Sequence, residues 1–258
     1  MPTAPEERRR SLVSALSPTE VRSVNALSRL TGVSVITIRR DLAQLAHEGR
    51  VIRVHGGALR APHRGSLRPV AQRRTEDVEA KRVLARATAA LIEDGESVII
   101  DSGTTCEMVA EELAGRDIRA LCLSLGAAGA VSSQRGAAVT VAGGLVDPES
   151  GSLFSTEAVD AVRRFRADVA VLSTCAVSLA DGLTVIESDD ATIKRAILAS
   201  ASRAVLPIAP RKIARTHTYR FGDASDLDLL LTTSDIDPDE LEALREAGVE
   251  VQVLDVGL

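Results

Sequence analysis

The sequence predicts an α/β protein with two units: a small N-terminal unit of helices and strands, and a larger unit whose sheet is mainly parallel. The first indication is charge. The first 65 residues hold eleven arginines and five acids, a net charge of +6, whereas the whole chain has a formal charge of −5. The second is that apolar residues recur at helical spacing near the N-terminus, while helical and strand-like segments alternate from residue 78. We therefore expect the basic unit to face a polyanion.

The composition excludes several classes of protein. With 258 residues, 45% of them apolar, the chain can build one large core or two smaller ones. No apolar run approaches the roughly 20 residues of a membrane helix, and no secretory signal is evident, so we expect a cytoplasmic protein without a membrane partner. The spacing of Cys106, Cys122 and Cys175 favours buried thiols over a disulfide or zinc, and we expect no metal and no cofactor. One Tyr, three Phe and no Trp are too few for an aromatic platform that stacks single-stranded nucleic acid.

Two short helices are predicted first. One runs from Arg8 to Leu16 and ends before a Ser-Pro pair. The second begins after Ser23, a favourable N-cap residue, and places Val24, Leu27 and Leu30 on one face. These apolar positions predict the start of a small core.

A third helix is predicted after the turn at Thr31-Gly32-Val33, with Ser34 as its N-cap. Its buried stripe, at positions i, i+4 and i+7, consists of Ile38, Leu42 and Leu45. Gly49 ends the helix, and residues 51–55 are predicted to form a β-strand before Gly56-Gly57. Helix, helix, tight turn, helix and a strand pair together make a winged helix-turn-helix.

This motif predicts contacts with double-stranded DNA, because the start of its last helix enters the major groove. Arg39 or Arg40 can pair with guanine, Thr37 can reach a phosphate or base edge, and apolar side chains can meet thymine methyl groups. The predicted DNA-binding residues are Ser34, Val35, Ile36, Thr37, Arg39, Arg40, Arg53 and His55. The last two lie on the wing. Any one arginine could be a solvated surface charge, but the set on this scaffold favours DNA binding.

The run TGVSVITIRRDLAQLAHEGRVIRVHGGA, residues 31–58, closely resembles the N-terminal signature of the DeoR-type bacterial transcription regulators. The resemblance implies a regulator, by default a repressor, that binds a DNA operator. One recognition helix covers too few base pairs for a unique site, so we also expect a homo-oligomer, a dimer or tetramer held by the C-terminal domain.

We assign residues 1–58 to the DNA-binding domain, 59–70 to a linker rich in Pro, Gly and Arg, and 71–258 to an α/β domain. In the last of these, helices are predicted at 78–92, 106–113, 157–165 and 189–201. Strands are predicted at 97–101, 120–124, 137–144, 168–173, 203–209 and 226–233. Ligands of such folds bind at the carboxyl ends of the strands.

The most informative strand end is Asp101-Ser102-Gly103-Thr104-Thr105. Gly103 allows the backbone to approach an anion, the hydroxyl groups add donors, and the following helix offers free N–H groups. The string therefore predicts a phosphate cradle, although an ordinary capped helix start would carry similar residues.

The surrounding order, ESVIIDSGTTCEMVAEEL, Gly143-Gly144 and ADVAVLS…DGLT…DDATIKRAIL, resembles the effector domain of the same family over residues 70–235. That domain is similar in fold to ribose-5-phosphate isomerase and typically senses a phosphorylated sugar or related metabolite. The resemblance implies a small anionic effector bound by Asp101, Ser102, Gly103, Thr104, Thr105, Ser124, Glu187 and Lys212. The only lysines, Lys81, Lys194 and Lys212, match lysine positions of the family.

Several loops depart from the family pattern. Leu123 stands where the family has an amide, Ala209 where it has an acid, and Ser155 where it has a glycine. Residues 173–176, Ser-Thr-Cys-Ala, replace a glycine-bearing string. Because lost partners leave sugar hydroxyl groups unpaired, we expect a smaller or less hydroxylated anion than a common sugar phosphate.

The alternative is an isomerase-type enzyme that carries a DNA-binding appendage. Asp101, Asp181 and Glu187 could then serve as acid and base. Spacing fixes no histidine or second carboxylate beside them, so we favour a regulator without catalytic residues.

Overall fold

The computed structural model describes residues 4–17, 20–47, 50–54, 56–60 and 69–256. The chain separates into two units, Met1–Ser66 (unit 1) and Leu67–Leu258 (unit 2). Unit 1 is a helix-turn-helix with a small antiparallel sheet, and unit 2 is an α/β fold with a parallel sheet. The predicted fold class is therefore confirmed.

The described residues of unit 1 form three helices and three short strands. In chain order these are α1 (Ala4–Ala15), β1 (Arg22–Ser23), α2 (Val24–Thr31), α3 (Val35–His47), β2 (Val51–Val54) and β3 (Gly57–Arg60). The strands pair antiparallel in the order β1-β3-β2. The apolar core beneath them consists of Leu12, Leu16, Leu27, Ile38, Leu42, Leu45, Val51 and Ala58. The predicted stripe of α3 thus lies in this core.

Local hydrogen bonds fix the turn between α2 and α3. Ser23 caps α2, since its side chain accepts a hydrogen bond from the N–H of Ala26 at 3.2 Å. Gly32 ends the helix in the left-handed conformation, with φ of 69°, and its N–H donates to the carbonyl of Ser28. Both the Ser23 cap and the glycine turn are as predicted.

Three details of unit 1 differ from the prediction. Helix α1 begins at Ala4 rather than Arg8, because Glu6 and Glu7 suit the positive end of a helix. Leu30 is 55% exposed. At about 100° per residue, each three-residue step falls short of a full turn, so Leu30 leaves the face of Val24. Strand β3 extends to Arg60, two residues into the predicted linker. The predicted helix end at Gly49 lies outside the described residues.

Unit 2 alternates strands and helices. Its helices are α4 (Val70–Thr75), α5 (Val78–Ala90), α6 (Thr104–Glu112), α7 (Leu125–Val131), α8 (Thr156–Arg164), α9 (Ser188–Leu198) and α10 (Pro238–Glu246). Its strands are β4 (Ser97–Ile100), β5 (Arg119–Cys122), β6 (Ala138–Val141), β7 (Ala167–Val171), β8 (Ala176–Ser178), β9 (Gly182–Val185), β10 (Ala201–Pro207), β11 (Tyr219–Gly222), β12 (Leu229–Thr233) and β13 (Val251–Leu254). Short 3-10 turns cover Pro210–Lys212 and Ala224–Asp226.

Seven strands form one parallel sheet in the order β13-β12-β10-β7-β4-β5-β6. Its two faces belong to separate apolar clusters: Ile99 of β4 packs with α8 and α9, whereas Val98 and Ile100 pack with α5, α6 and α7. This alternation places the central strands between two helical layers, whereas the edge strand β6 is mostly exposed. The carboxyl ends of β4, β7 and β10, which are neighbours in the sheet, consequently meet at one edge.

Unit 2 also contains elements that the sequence did not predict. A second, antiparallel sheet has the order β11-β9-β8, and α4 begins at Val70, the last residue assigned to the linker. Helix α6 begins at Thr104, two residues before the predicted start at Cys106. Among the described residues, no helix has both the length and the apolar character needed to cross a membrane. Cys106 and Cys122 are buried free thiols and Cys175 is partly buried.

Candidate functional site

One face of α3 is open to solvent and carries the side chains predicted to meet DNA. Ile36 is 67% exposed, and Arg39 and Arg40 are exposed on the same side at i+3 and i+4. Val35 and Thr37 are half-buried at the start of the helix. In a major groove, the apolar side chain can contact a thymine methyl group, and the two arginines can donate hydrogen bonds to the acceptor atoms of guanine.

Ser34 fixes the first turn of α3. Its Oγ accepts a hydrogen bond from the N–H of Thr37 at 3.2 Å and lies 3.0 Å from the Thr37 Oγ1. The predicted cap is therefore confirmed, and it holds the two hydroxyl groups together at the N-terminus of the helix. The hydroxyl groups thus lie beside N–H groups at the start of α3 that can donate hydrogen bonds to a DNA phosphate.

The wing is formed by β2 and β3. Arg53 is exposed on β2, opposite Ala58 of β3, whereas His55 lies outside the described residues. An ion pair that the sequence analysis did not predict joins Arg8 to Asp41, with the Arg8 Nε 2.6 Å from the Asp41 Oδ2. This pair joins α1 to α3 and fixes the helix that presents Arg39 and Arg40.

In unit 2, most of the predicted effector residues lie at the carboxyl edge of the parallel sheet, on loops or at the starts of helices. Asp101 directly follows β4, Ser124 follows β5, and Lys212 follows β10. The edge also holds Ser173, which follows β7 and was not among the predicted site residues. Such an edge is where open α/β sheets bind their ligands.

Asp101 is fully buried and its carboxylate is bound within the protein. Oδ2 accepts hydrogen bonds from the N–H of Ser173 at 2.8 Å, from the Ser173 Oγ at 3.0 Å and from Lys194. Oδ1 accepts from the N–H of Ser102 at 2.7 Å. The carboxylate therefore joins the loops after β4 and β7 to helix α9.

Lys194 is, with Ser173, a residue of this site that sequence reasoning missed. Its Nζ is buried against Asp101, lies 3.2 Å from Asp190 and donates to the Ser173 Oγ at 2.9 Å. Burial alone would lower the pKa of Lys194, but the two carboxylates outweigh it and hold the pKa above its usual value. Burial raises the pKa of Asp190. The available signal was a lysine on the apolar face of the predicted helix with an aspartate four residues before it.

The cradle itself is the start of α6. Gly103 has φ of 113°, a conformation that side-chain-bearing residues rarely adopt, and the partly exposed Thr104 and Thr105 follow it. A Cβ atom built on Gly103 would lie 3.6 Å from the Ser173 Oγ, so Ser173 forms the inner wall of the cradle. The N–H groups of the first helical turn have no partner within the helix and can bind an anion.

Lys212 lies at the same edge, where its Nζ donates to the carbonyl of Thr174 at 2.8 Å. Burial lowers the pKa of Lys212 to about 8, and the positive charges of Arg211 and Arg73 act in the same direction. The Thr174 hydroxyl is occupied by backbone carbonyl groups, those of Ala176 and Thr184. Thr174 therefore adds no free hydroxyl group to the site.

The structure assigns local roles to the other predicted residues. Ser124 is buried and caps α7, since its Oγ accepts from the N–H of Ala127 at 3.1 Å. Glu187 is exposed at the N-terminal boundary of α9, close enough for its charge to raise the pKa of Asp190, after the larger effect of burial. Two of the positions that depart from the family pattern, Leu123 and Ala209, are buried. Neither can pair with a hydroxyl group.

Comparisons with known proteins match both units. Residues 8–63 match the model of the DeoR-like helix-turn-helix domain, and residues 76–234 match the model of the DeoR C terminal sensor domain. The HTH-type transcriptional regulator GlpR of Haloferax volcanii is 30% identical over 248 residues, which are 96% of this chain and 97% of the relative. The Glycerol-3-phosphate regulon repressor of Escherichia coli is 27% identical over 86% of this chain and 88% of its own. Ribose 5 phosphate isomerase A of Neisseria gonorrhoeae shares 15% identity with a TM-score of 0.38, over 54% of this chain and 55% of its own.

Proposed function

Since the chain belongs to the DeoR family of transcriptional repressors with a C-terminal sensor domain, we propose that it binds its operator through α3 and is regulated by a small anionic metabolite at the carboxyl edge of unit 2. A repressor of this kind acts in the cytoplasm, where the chromosome is. The observation that carries the proposal is the exposed face of α3, on which Ile36, Arg39 and Arg40 lie together.

The DNA contacts are tested first, because they need no knowledge of the effector. An operator is selected from genomic fragments with the full chain, and its affinity is then measured by gel-shift titration. Arg40→Ala is expected to weaken operator binding by about 1–3 kcal/mol if the arginine reads a guanine. Arg135→Ala removes the same charge from an exposed position of unit 2 and serves as the control. If Arg39→Ala and Arg40→Ala both leave the affinity unchanged, α3 does not read the operator.

We infer that the effector anion binds between the start of α6 and Lys212. The N–H groups and hydroxyl groups of Thr104 and Thr105 supply neutral donors, and Lys212 supplies positive charge at the same edge. In this proposal Asp101 has an indirect role in ligand binding. With its carboxylate bound to Lys194 and Ser173, it fixes the loop rather than contacting the ligand.

The effector is expected to be small and to carry few hydroxyl groups. Leu123 and Ala209 offer no polar partner, and the Thr174 hydroxyl is already paired. A phosphorylated three-carbon polyol meets these limits better than a hexose phosphate. The name of the Escherichia coli relative, a glycerol-3-phosphate regulon repressor, makes glycerol 3-phosphate the first compound to test.

Calorimetric titration of the full chain with glycerol 3-phosphate, ribose 5-phosphate and glucose 6-phosphate tests the ligand class. We expect the first to bind most tightly and Lys212→Ala to abolish the binding, with Arg135→Ala as the control. Micromolar binding of glucose 6-phosphate that Lys212→Ala abolishes would show that the lost polar groups do not matter. Failure of all three would favour a domain that serves assembly alone.

We propose a regulator rather than an isomerase. Of the three carboxylates that could serve as acid and base, Asp101 is held by Lys194 and Ser173, whereas Asp181 and Glu187 are exposed. A general base must have a free lone pair within reach of the substrate proton, and the buried member of this set has its carboxylate engaged. Turnover of ribose 5-phosphate by the purified chain would overturn this assignment.

A further inference from the structure

The segment Val70–Asp77, hereafter the α4 segment, consists of α4 and the two residues after it. It follows directly on the stretch of chain that joins unit 1 to unit 2. Val70 is the one buried residue of α4, and it belongs to neither apolar cluster of unit 2 among the described residues. The N–H of Val70 donates to Glu149 at 3.4 Å. Within α4, apolar packing therefore rests on a single side chain.

Ion pairs hold the segment instead. Arg74 lies 3.2 Å from the carboxylate of Glu107 on α6, and Arg211 pairs with both Glu76, at 3.1 Å, and Asp77. Glu107 lies two residues after Thr105 of the cradle, on the same helix, and Arg211 directly precedes Lys212. The segment is thus attached to the two elements that carry the proposed anion site.

The end of the segment is a strained joint. Asp77 has φ of 51°, in the left-handed region that residues with a side chain rarely occupy, although aspartate tolerates it better than most. Helix α5 begins at the next residue, but the Asp77 side chain does not cap it. The Asp77 carboxylate pairs with Arg211 instead. Loss of that ion pair would remove a support for this conformation.

Positive charge is concentrated beside the joint. The Lys81 Nζ donates to the carbonyl of Arg73, and burial lowers the pKa of Lys81, with the charge of Arg211 acting in the same direction. Arg73 and Arg211 also lower the pKa of Lys212. An anion that reaches this edge therefore competes with Glu76 and Asp77 for the same cations.

We propose that the α4 segment is an electrostatic clasp that an anion bound at the cradle releases, so that occupancy of the sensor site reaches the DNA-binding unit. The inference rests on the proposed function, because its ligand is the anion proposed there. A bound dianion draws Arg211 away from Glu76 and Asp77 and repels Glu107, which weakens the hold on Arg74. Release detaches the eight residues of the segment from unit 2, so that the connection between the units becomes longer, and it lowers operator affinity.

The test uses a variant that opens the clasp without touching the ligand cations. Glu76→Gln with Asp77→Asn removes both carboxylates, and asparagine tolerates the left-handed conformation. Without ligand, amide hydrogen exchange over residues 71–76 of the full chain is expected to rise about tenfold, and operator affinity to fall at least fivefold. Arg82→Gln, which breaks the exposed Arg82–Glu79 pair of α5, is the control and should change neither.

Linkage gives a readout that a purely structural role would not produce. A ligand that opens the clasp must bind more tightly once the clasp is open, so the affinity for glycerol 3-phosphate is expected to rise three- to tenfold in the double variant. In the wild-type chain, saturating glycerol 3-phosphate should raise exchange over residues 71–76 and leave α10 unchanged.

The outcomes separate this inference from the proposed function. If glycerol 3-phosphate or inorganic phosphate binds but exchange over residues 71–76 does not change, the clasp is refuted and the sensor site stands. Unchanged exchange or unchanged operator affinity in the double variant also refutes the clasp. If neither anion binds the wild-type chain or the variant, the clasp and the sensor proposal fall together.

Discussion

Replacing Lys194 with methionine should destabilise unit 2 strongly. The side chain of Lys194 is 1% exposed, and it neutralises Asp101, which is fully buried, and Asp190. Methionine fills a similar volume without charge, so two buried carboxylates lose their partner. Breaking a buried ion pair in this way costs about 3–5 kcal/mol. For a unit of this size, about 2–4 °C per kcal/mol predicts a fall in Tm of roughly 6–20 °C.

Thermal and urea unfolding of the full chain measure the effect, with Lys81→Met as the matched control. Lys81 is also buried, but it donates to a backbone carbonyl, that of Arg73, so its loss should cost only about 1–2 kcal/mol. Burial raises the pKa of Asp190, and loss of Lys194 raises it further. Because protonation removes the uncompensated charge, the deficit of Lys194→Met should shrink as the pH falls through the raised pKa toward the ordinary value.

A free energy of unfolding of Lys194→Met within about 1 kcal/mol of the wild-type value would refute the role given to Lys194. So would a Lys194→Met variant that is no less stable than Lys81→Met. A deficit that is constant from pH 7 to pH 4 would contradict the electrostatic origin of the effect. In that case shape and packing, rather than charge, would explain why a lysine lies at this position.

Two further predictions concern ligand binding and assembly. Lys212 loses its proton as the pH rises through about 8, whereas phosphate monoesters stay dianionic, so glycerol 3-phosphate should bind about tenfold more weakly at pH 9 than at pH 7. Lys212→Arg keeps its charge over this pH range and should abolish the pH dependence. If the wild-type affinity does not change between pH 7 and pH 9, Lys212 does not bind the ligand. Light scattering at micromolar concentration should give a dimer or tetramer held by unit 2, and a monomer with and without DNA would count against assembly.

The sequence predicted those elements whose apolar residues either recur at helical spacing or form a short continuous run. Ile38, Leu42 and Leu45 identify the buried face of α3, and the run around Ile99 identifies a central strand. Helix α7 was missed because its Ala- and Gly-rich sequence carries no periodic signal. Strands β8 and β9 were missed because no helix separates them, so the alternation of strands with helices does not indicate them. Regular elements could therefore be predicted where the apolar residues show a clear pattern and where strands alternate with helices.

The site was predicted less completely than the fold. Asp101 was found because it ends a strand, and a polar residue at that point is visible in the sequence. Its partner Lys194 lies 93 positions away, and the pairing depends on β7 lying beside β4. Local patterns carry no information on such a contact. The role of Asp101 as a fixed point of the loops, rather than a free ligand group, could not have been predicted without the topology.

The pairing of Asp101 with Lys194 also affects how the protein can be synthesised and divided. A ribosome completes β4 long before it reaches α9, so the nascent sheet contains a carboxylate whose counter-charge has not yet been made. A fragment that stops after β7 would have to bury that charge alone or leave the strand end hydrated. We therefore expect unit 2 to acquire its native loops only after α9 has been synthesised. A fragment made to study this domain alone should extend beyond β10, which separates Lys194 from the loop of Lys212.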